Sequence, residues 1–371
     1  MNDNRRMRSP LPGAAQALPV ISVTTHGVAL KASDIPKVSS SWTLSDHVGH
    51  WKVRWGIGRM NYRVEPGLYA LGSPGSRSPV VVTANYRLTF DVLRRAIAGH
   101  DVWILALDTR GVNVWCAAGK GTFGTDELVR RIAFTELGKI VSHRRLILPQ
   151  LGGPGIAAHE VKKRSGFGVL YGPVRAEDLP RFLAAGLKAD DGMRRVTFTT
   201  AERLVLVPME LVPALRGSVP LLIILWLLGG WGWWGYSMDA FRTNALNLTT
   251  AYLGALATGV FFTPLLLPWL PGRAFSVKGT LAGLIWALLF IFLISRSAPG
   301  SFPSRAWEGA VWLLALPSIS AFLAMNFTGS STITSLSGVK KEFRYAVPLQ
   351  MAGVGAGLIL WFAGHFLQGS L

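Results

Sequence analysis

Cysteine is almost absent from this sequence, which has one, Cys116, among 371 residues. A single thiol excludes an internal disulfide. It also excludes an all-thiolate zinc site and a cubane iron–sulfur cluster, because each needs about four thiolates. Any low-potential electrons that the protein uses must therefore come from another protein. An unpaired thiol beside basic residues is typical of a reducing cytosol.

Acidic residues are also scarce, with 20 Asp and Glu against 38 Lys and Arg, which gives a net charge of +18. Residues 1–212 carry +12 of this charge and residues 213–371 carry +6, and most of the second part is apolar. The sequence contains no zinc-finger, RRM-like or helix-turn-helix signature, so the charge does not indicate nucleic acid. Basic residues that face the cytosol beside anionic lipid explain it better.

The N-terminus does not have the pattern of a signal peptide, because its apolar stretch is short and interrupted by prolines. We therefore predict a disordered tail over residues 1–44. A cytosolic α/β domain is predicted over 45–205, and a transmembrane domain over 206–371.

Five apolar segments, each about 20 residues long, follow the basic part, and a helix of that length crosses a bilayer. Tryptophans crowd the end of the first segment, as in an interfacial aromatic belt: Trp226, Trp231, Trp233 and Trp234. The predicted transmembrane helices lie at about 215–235, 250–270, 278–296, 307–327 and 345–367.

The positive charges of the loops predict the orientation of these helices. Seven lie on the side of the N-terminal domain: Arg203, Arg216, Arg273, Lys278, Lys340, Lys341 and Arg344. Three lie on the other side: Arg242, Arg296 and Arg305. This bias predicts a multi-pass protein of the inner (cytoplasmic) membrane, with residues 1–212 in the cytoplasm and the C-terminus outside.

Ionisable residues are almost absent within the apolar segments, where a transporter would need them. Asp239 and Glu308 lie at segment edges, and His365 lies near the end of the last segment. The bundle is therefore more typical of an anchor or a docking surface than of a transporter. The loop at 325–342 is rich in small hydroxyl residues, which suits either a contact surface or a flexible loop.

Short apolar runs alternate with helical patterns before residue 200, which indicates a parallel α/β sheet. Residues 45–72 are interpreted as a β-hairpin or an irregular extension, and Thr125 as the N-cap of a helix. The predicted fold is a Rossmann-like α/β domain followed by an all-α domain of five transmembrane helices. The predicted strands are 79–86, 101–109, 144–151, 167–174 and 194–200, and the predicted helices are 89–99, 126–138, 154–166 and 176–186.

Ligands of parallel sheets bind beyond the carboxyl ends of the strands. Gly152 and Gly153 would permit a close approach of the backbone to a large flat ligand. Ordinary turn chemistry explains each strand-end residue equally well. The candidate ligand contacts are Thr83, Asn85, Asp108, Thr109, Gln150, Gly152, Gly153, Tyr171 and Gly172.

A glycine-rich stretch at 119–124 fits G-x-G-x-x-G, but nucleotide binding is a weak interpretation of it. The stretch does not follow a strand directly, and the nearest suitable acid, Glu136, falls within a predicted helix. It also lacks the upstream glycine of a Walker A loop, and Lys120 is not followed by Ser or Thr.

The cysteine lies in the stretch NVWCAAGK, residues 113–120. Asn113 is a good helix N-cap, and a helix of about two turns is predicted to end at the glycines that follow. Cys116 is its third residue, where unpaired N–H groups and the helix dipole favour a thiolate. Ala117 and Ala118 keep the helix slim, and Lys120 adds positive charge. The alternative is a buried, inert cysteine.

NVWCAAGK resembles, at all eight positions, the cap-helix motif of the HgcA family, the corrinoid proteins of microbial mercury methylation. The order of the parts, a cytosolic domain and then five spans, is similar as well. Residues 80–200, including GKGTFGTDEL and AAHEVKK, also resemble the corrinoid-binding domain of the acetyl-CoA-pathway corrinoid iron–sulfur protein. The sequence departs from that protein by lacking its cluster cysteines.

The resemblance implies a cobalamin-type corrinoid bound base-off, with the Cys116 thiolate as the lower axial ligand of cobalt and as the catalytic residue. The cobalamin signature D-x-H-x-x-G is absent, so no histidine is marked for that position. The strand-end residues named above would be further cofactor contacts. On the cap helix, the resemblance implies the following cofactor contacts: Asn113, Val114, Trp115, Cys116, Ala117, Ala118, Gly119 and Lys120.

The same resemblance implies a methyltransferase that passes a methyl group from methylcobalt to Hg(II), as a carbanion equivalent or a radical, to give methylmercury. The implied partners are a small HgcB-like ferredoxin with [4Fe–4S] clusters, Hg(II) as a thiol complex, and a methyl donor from folate-linked metabolism. Two alternatives stay open: a methyl carrier for another acceptor, such as a carbon or arsenic centre, and a membrane sensor or transporter with a cytosolic ligand module.

Overall fold

A six-stranded sheet forms the centre of the first unit in the computed structural model, which describes residues 35–232, 235–297, 306–330 and 336–367. The chain divides into two compact units: the first ends at Val196, and the second begins at Thr197 and also includes Arg54–Gly56. Most of the predicted N-terminal tail (1–34), Trp233, Trp234, Arg305 and part of the hydroxyl-rich loop (331–335) lie outside the described residues.

The elements of the first unit follow one another from a short edge strand to a one-turn helix. They are β1 (Lys37–Val38), α1 (Leu44–Arg54), β2 (Gly67–Leu71), β3 (Val80–Ala84), α2 (Arg87–Ala96), β4 (Val102–Leu107), α3 (Val114–Lys120), α4 (Thr125–Phe134), α5 (Leu137–Ile140), β5 (Arg145–Leu148), α6 (Ala158–Ser165), β6 (Gly168–Tyr171), α7 (Leu179–Ala184) and α8 (Asp191–Arg194). Short 3₁₀ turns lie at Arg59–Asn61, Gln150–Gly155 and Ala176–Asp178.

The strand order is β1-β2-β4-β3-β5-β6. β4, β3, β5 and β6 are parallel, whereas β2 is antiparallel to β4. Successive residues of the central strands alternate between two cores: Val80 and Val82 face one side of the sheet, and Val81 faces the other. The predicted α/β class with a parallel sheet is therefore confirmed, with an antiparallel strand near one edge.

Two predictions about this unit were wrong. Residues 45–72 form neither a β-hairpin nor an irregular extension but helix α1 followed by the single strand β2. The helix begins where Thr43 and Asp46 cap each other's backbone: Thr43 N–H donates to the Asp46 carboxylate and Asp46 N–H to the Thr43 hydroxyl. The fifth strand predicted at 194–200 is absent: α8 ends at Arg194, residues 195–199 form neither helix nor strand, and α9 begins at Thr200 after the N-cap Thr199.

Helix boundaries also differ from the predicted ones. Thr125 is the first residue of α4 and not its N-cap, which is Gly124. The helix predicted at 126–138 is interrupted at Glu136, whose φ of 47° lies in the left-handed region. The helix predicted to begin at residue 154 begins at Ala158, because the preceding residues form a 3₁₀ turn.

The described residues of the second unit form five helices that are long and apolar enough to cross a membrane, as predicted. The first begins earlier than residue 215, at a capping box in which Thr199 and Glu202 bond reciprocally. Between the first and second helices lie two short antiparallel strands, β7 (Trp231–Gly232) and β8 (Gly235–Tyr236). The helical elements are α9 (Thr200–Gly229), α10 (Met238–Ala257), a π-helical turn (Thr258–Phe262), α11 (Thr263–Leu265), α12 (Phe275–Ser297), α13 (Ala306–Met325), the 3₁₀ turn Asn326–Ser330 and α14 (Leu336–Leu367).

Small residues let α13 pack closely between two neighbours. A Cβ added to Gly283 of α12 would lie 2.8 Å from Pro317 Cα, and one added to Gly357 of α14 would lie 3.1 Å from Ala315 Cβ. Gly279 precedes Gly283 by four residues on the same face, and this small-xxx-small spacing is typical of membrane helix pairs.

Candidate functional site

Helix α3 carries the single cysteine on a short, well-capped platform. The Asn113 side chain accepts a hydrogen bond from Cys116 N–H at 2.9 Å, and Gly121 ends the helix with a φ of 80°. Both features agree with the predicted cap helix. Its inner face consists of buried Val114, Ala117 and Ala118, and its outer face of exposed Trp115, Cys116, Gly119 and Lys120.

The Cys116 thiol is free and exposed, so the alternative of a buried, inert cysteine is wrong. Trp115 beside it is 39 % exposed. One turn further on, Gly119 has no heavy atom within 4 Å of the place that a Cβ would occupy. A flat molecule can therefore approach the sulfur without meeting a side chain at Gly119.

The 3₁₀ turn Gln150–Gly155 packs against the buried face of α3. A Cβ added to Gly155 would lie 2.1 Å from Phe123 O and 3.1 Å from Ala118 Cα, and one added to Gly152 would lie 2.5 Å from the Phe123 ring. The absence of a side chain at Gly152 thus makes room for the Phe123 ring. A Cβ added to Gly153 would have only a Tyr171 carbon within 4 Å, at 3.8 Å. These glycines hold the cap helix against the sheet.

Asn85 and Thr109, at the ends of β3 and β4, bond to each other beneath the loop that leads to α3. Asn85 Oδ1 accepts from Thr109 N–H at 3.0 Å, from the Thr109 hydroxyl at 2.9 Å and from Gly111 N–H at 3.1 Å. Asn85 is 1 % exposed and Thr109 0 %. Both side chains are enclosed by protein, and their bonds fix the path of residues 109–111.

Asp108 also belongs to this loop. Its backbone is fixed by Glu127, which the sequence analysis did not identify as a site residue. Asp108 N–H donates to Glu127 Oε1 at 2.9 Å, and buried Glu127 also accepts from Arg131 at 2.7 Å. The Asp108 carboxylate accepts from Asn85 Nδ2 at 3.3 Å and from Arg110 N–H at 3.0 Å. The signal available in the sequence was the position of this acid in the first turn of α4.

The remaining candidate contacts lie at the carboxyl ends of β3, β5 and β6. Tyr171 is half-buried, its hydroxyl donates to Ile156 O at 2.8 Å, and burial raises its pKa. Gln150 Nε2 donates to Arg194 O at 3.1 Å, and Thr83 is buried. Gly172 packs against Ile147, whose Cγ2 would lie 3.1 Å from an added Cβ.

Metal binding by side chains alone has no support in the part of the chain that the structure describes. That part contains no group of three or more His, Cys, Asp or Glu residues placed to hold a metal ion. A metal held at Cys116 would need its other ligands from outside the protein, as an organic macrocycle provides them.

Part of the chain is similar to subunits of acetyl-CoA synthase and of acetyl-CoA decarbonylase/synthase. Residues 57–182 match the family model of the CO dehydrogenase/acetyl-CoA synthase delta subunit. The acetyl-CoA decarbonylase/synthase complex subunit gamma of Methanopyrus kandleri is 34 % identical over 122 residues, which are 32 % of this chain and 26 % of that protein. The subunit gamma of Archaeoglobus fulgidus is 31 % identical over 121 residues, 31 % of this chain and 25 % of that protein.

These matches confirm the predicted similarity to a protein of the acetyl-CoA pathway. The chain spans about a quarter of the length of the curated relatives it matches. The matched residues 57–182 run from before β2 to within α7, and therefore include α3 and the parallel strands.

Proposed function

We propose that this protein is a membrane-anchored corrinoid protein that transfers a methyl group to Hg(II) and so produces methylmercury. The observation that carries the proposal is the exposed, free thiol of Cys116 on a capped helix whose residues fit the mercury-methylation motif at all eight positions. The similarity of residues 57–182 to acetyl-CoA synthase subunits supports the broader role of a methyl carrier.

The residues of α3 fit a corrinoid. Cys116 offers one thiolate, and the open space at Gly119 leaves room for a flat ring beside it. A soft thiolate suits cobalt. When bound, the corrinoid would supply the cobalt centre that carries the methyl group, and the protein would supply the Cys116 thiolate as a ligand and control access.

The supporting residues have positioning roles in this proposal. Asn113 fixes the first turn of α3 and therefore the direction of the thiol. Gly155 and Phe123 support the helix from below, and Asn85 with Thr109 fixes the loop before it. Lys120 and Trp115 lie on the exposed face, where they would border the ring. Thr83, Asp108, Gln150, Gly153 and Tyr171 line the strand ends beyond it.

The protein needs a partner for electrons. Returning cobalt to a methyl-accepting state requires a low-potential reductant, and one cysteine cannot hold an iron–sulfur cluster. A small ferredoxin with [4Fe–4S] clusters is the proposed partner. Hg(II), the substrate, would arrive bound to thiols, and the methyl group would come from folate-linked metabolism.

The two units have separate roles in this proposal. Residues 45–205 form the cytosolic corrinoid domain, and residues 206–371 anchor it in the inner membrane with the C-terminus outside. Five helices of sufficient length among the described residues, and the bias of basic residues around the predicted spans, support this arrangement.

A second candidate function is methyl transfer to a carbon acceptor. The names of the relatives favour it, because acetyl-CoA decarbonylase/synthase acts on acetyl-CoA. The lack of cluster cysteines in this chain counts against an identical role.

One experiment separates these functions. The full-length protein is purified without oxygen, incubated with methylcobalamin as cofactor and methyl source, and its absorbance recorded after removal of free cofactor. Methylation is then followed with a Hg(II)–thiol complex, an arsenite complex and coenzyme A with CO as acceptors. We expect a bound corrinoid spectrum and transfer to Hg(II) alone. Transfer only to another acceptor would establish the second function, and a protein that retains no corrinoid would contradict both.

A further inference from the structure

A cavity of about 350 Å³ lies in the first unit, at the amino ends of the parallel strands β3, β4 and β5. This edge of the sheet is opposite the one that leads to α3, and the methyl-transfer proposal does not use it. A space of this size holds a small organic molecule. The lining residues are Arg77, Pro79, Val80, His100, Asp101, Val102, His143, Arg145, Ile147, Leu183 and Leu187.

The inner part of the cavity is apolar. Val102 and Ile147 are buried, and half-buried Leu183 and Leu187 pack against the same core. Leu187 has a φ of 66°, a left-handed value that is unfavourable for a bulky side chain, and its N–H donates to Phe182 O at 3.0 Å. Residues in such conformations cluster at ligand sites. The strained backbone here places an apolar side chain on the cavity wall.

The loop before β3, which carries Arg77, is fixed from both sides. Ser142 N–H donates to Ser76 O at 2.8 Å, and Ser73 N–H donates to the Asp101 carboxylate at 2.7 Å. These bonds join the loop to the segments that lead into β5 and β4. A loop that is already ordered loses little further entropy when a ligand binds to it.

His143 fixes the segment that leads into β5. Its Nε2 donates to Ser78 O at 2.9 Å, and its Nδ1 accepts from Arg145 N–H at 3.3 Å. Both ring nitrogens are therefore used by the backbone. His143 positions Arg145 at the cavity and leaves ligand binding to the arginine side chain.

The rim of the cavity is basic. Arg77 and Arg145 are exposed, and neither has a carboxylate within 4 Å among the described residues. His100 Nδ1 donates to Ala98 O at 3.2 Å, which leaves Nε2 for a ligand. Asp101 is the one acid among the described lining residues, and its carboxylate accepts from a backbone N–H of the loop before β3. The rim therefore attracts an anion.

We propose that this cavity binds a small organic phosphate monoester. A phosphate monoester has three terminal oxygens, and Arg77, His100 and Arg145 offer donors from three different segments. Its organic body would lie against Leu183 and Leu187. A carboxylate has only two oxygens for these three donors, and inorganic phosphate would leave the apolar wall uncovered. Both comparisons favour the organic phosphate.

The test uses the full-length protein in maltoside detergent and Tris buffer, neither of which contains phosphate. Phenyl phosphate is titrated by calorimetry, and benzoate, phenol and inorganic phosphate are titrated in parallel. We expect one phenyl phosphate per protein with a Kd of about 1 mM or tighter, and at least about tenfold weaker binding of the other three. Weaker or non-saturable binding of phenyl phosphate, or equal affinity for any of the other three, would overturn the proposal.

Arginine variants locate the anion. Arg77→Gln and Arg145→Gln should each weaken phenyl phosphate binding about tenfold, because each removes a charge-assisted contact. Arg195→Gln removes an exposed guanidinium that does not line the cavity and should leave the Kd unchanged. An unchanged Kd in both cavity variants, or an equal loss in Arg195→Gln, would contradict the site.

Leu187→Gly tests the apolar wall separately from the charges. Glycine adopts the left-handed backbone without strain, and a cooperative thermal transition checks that the variant folds. The variant loses the side chain that would contact the organic body, so phenyl phosphate should bind about fivefold more weakly and its advantage over inorganic phosphate should shrink. An unchanged ratio of the two affinities would contradict the proposed position of the organic body.

Discussion

The Asn113 side-chain oxygen lies 2.9 Å from the backbone nitrogen of Cys116 and accepts its hydrogen. This bond satisfies one of the N–H groups that a helix leaves unpaired at its start. It also fixes the first turn of α3, so that the residue which carries the only thiol has one backbone orientation. The cap therefore contributes both to the stability of α3 and to the direction of the sulfur.

Asn113→Ala should loosen α3 by about 1 kcal/mol, the usual cost of losing an N-cap. We expect the amide of Cys116 to exchange with deuterium about fivefold faster, as measured by mass spectrometry on the full chain. Asn113→Asp keeps an accepting oxygen and should exchange as the wild type does. Equal protection in Asn113→Ala and Asn113→Asp would contradict the role of the cap.

Gly155→Ala should displace α3, because the new Cβ would lie 2.1 Å from Phe123 O and 3.1 Å from Ala118 Cα. Overpacking against backbone costs about 1–3 kcal/mol, and the expected results are a lower melting temperature and faster reaction of Cys116 with a thiol reagent. Gly153→Ala is the matched control, since its nearest neighbour is a Tyr171 carbon at 3.8 Å. Similar behaviour of the two variants would show that the turn does not support the helix.

The helix α3 could be predicted from the sequence because its signals are local: an Asn before it, a glycine after it, and small residues between. The packing of the 3₁₀ turn against α3 could not be predicted, because the contact of Gly155 with Phe123 joins residues 32 positions apart in the sequence. Asn85 is a similar case. Its position after β3 predicted a ligand contact, but only the fold shows that Thr109 and Gly111 use its oxygen.

Asp46→Asn should destabilise the first unit in a pH-dependent way. Asp46 is buried, which opposes its charge, but hydrogen bonds from Thr43 N–H, Arg87 and Arg94 prevail and hold its pKa well below the usual range. A lowered pKa gives stability that is present above the unfolded value of about 3.9 and is lost as the pH falls through the folded value. The variant should therefore lose about 3 kcal/mol at pH 7 and show a smaller further loss on acidification.

The measurement for Asp46→Asn is the urea midpoint of the α2 peptides in the full chain, read by pulsed hydrogen exchange at pH 7 and pH 3. Asp126→Asn is the control, because that carboxylate is 92 % exposed and its pair with Arg164 should contribute less than about 1 kcal/mol. Parallel acid dependence of Asp46→Asn and the wild type would contradict this prediction.

Periodicity and the spacing of apolar runs predicted the parallel strands and the five membrane helices. The strands alternate with helices, and burial on both faces gives β3 and β4 their continuous apolar sequences. Residues 44–54 were misread because their helix buries polar Asp46 and His50, so no apolar stripe marks its inner face. The ion pair of Asp46 with Arg94 that makes this burial tolerable joins residues 48 positions apart.

Seven basic residues on one side of the predicted spans and three on the other predict the orientation of the membrane helices. An alkaline phosphatase fused after Leu371, which is active only outside the cytoplasm, should therefore be active. A green fluorescent protein at the same position, exported unfolded, should not fluoresce. The reverse pattern would place the C-terminus in the cytoplasm.

Cys116→Ala should abolish methyl transfer and also shift the spectrum of the bound corrinoid in buffer without mercury. A thiolate suits both cobalt and Hg(II), so loss of activity alone does not separate a cobalt ligand from a mercury trap. The short capped helix directs one sulfur at a fixed point, whereas capture of Hg(II) generally uses two thiolates and this chain has one. The ligand role is therefore favoured.

The spectrum decides between the two roles, because only a cobalt ligand affects it before mercury is present. Ser165→Ala is the control for a small side chain outside α3; its hydroxyl bonds to Val161 O within α6, so neither the spectrum nor the activity should change. Thr135→Ala, at the end of α4, should behave in the same way. If Cys116→Ala retains the wild-type spectrum in mercury-free buffer while transfer is lost, the sulfur acts on mercury and not on cobalt.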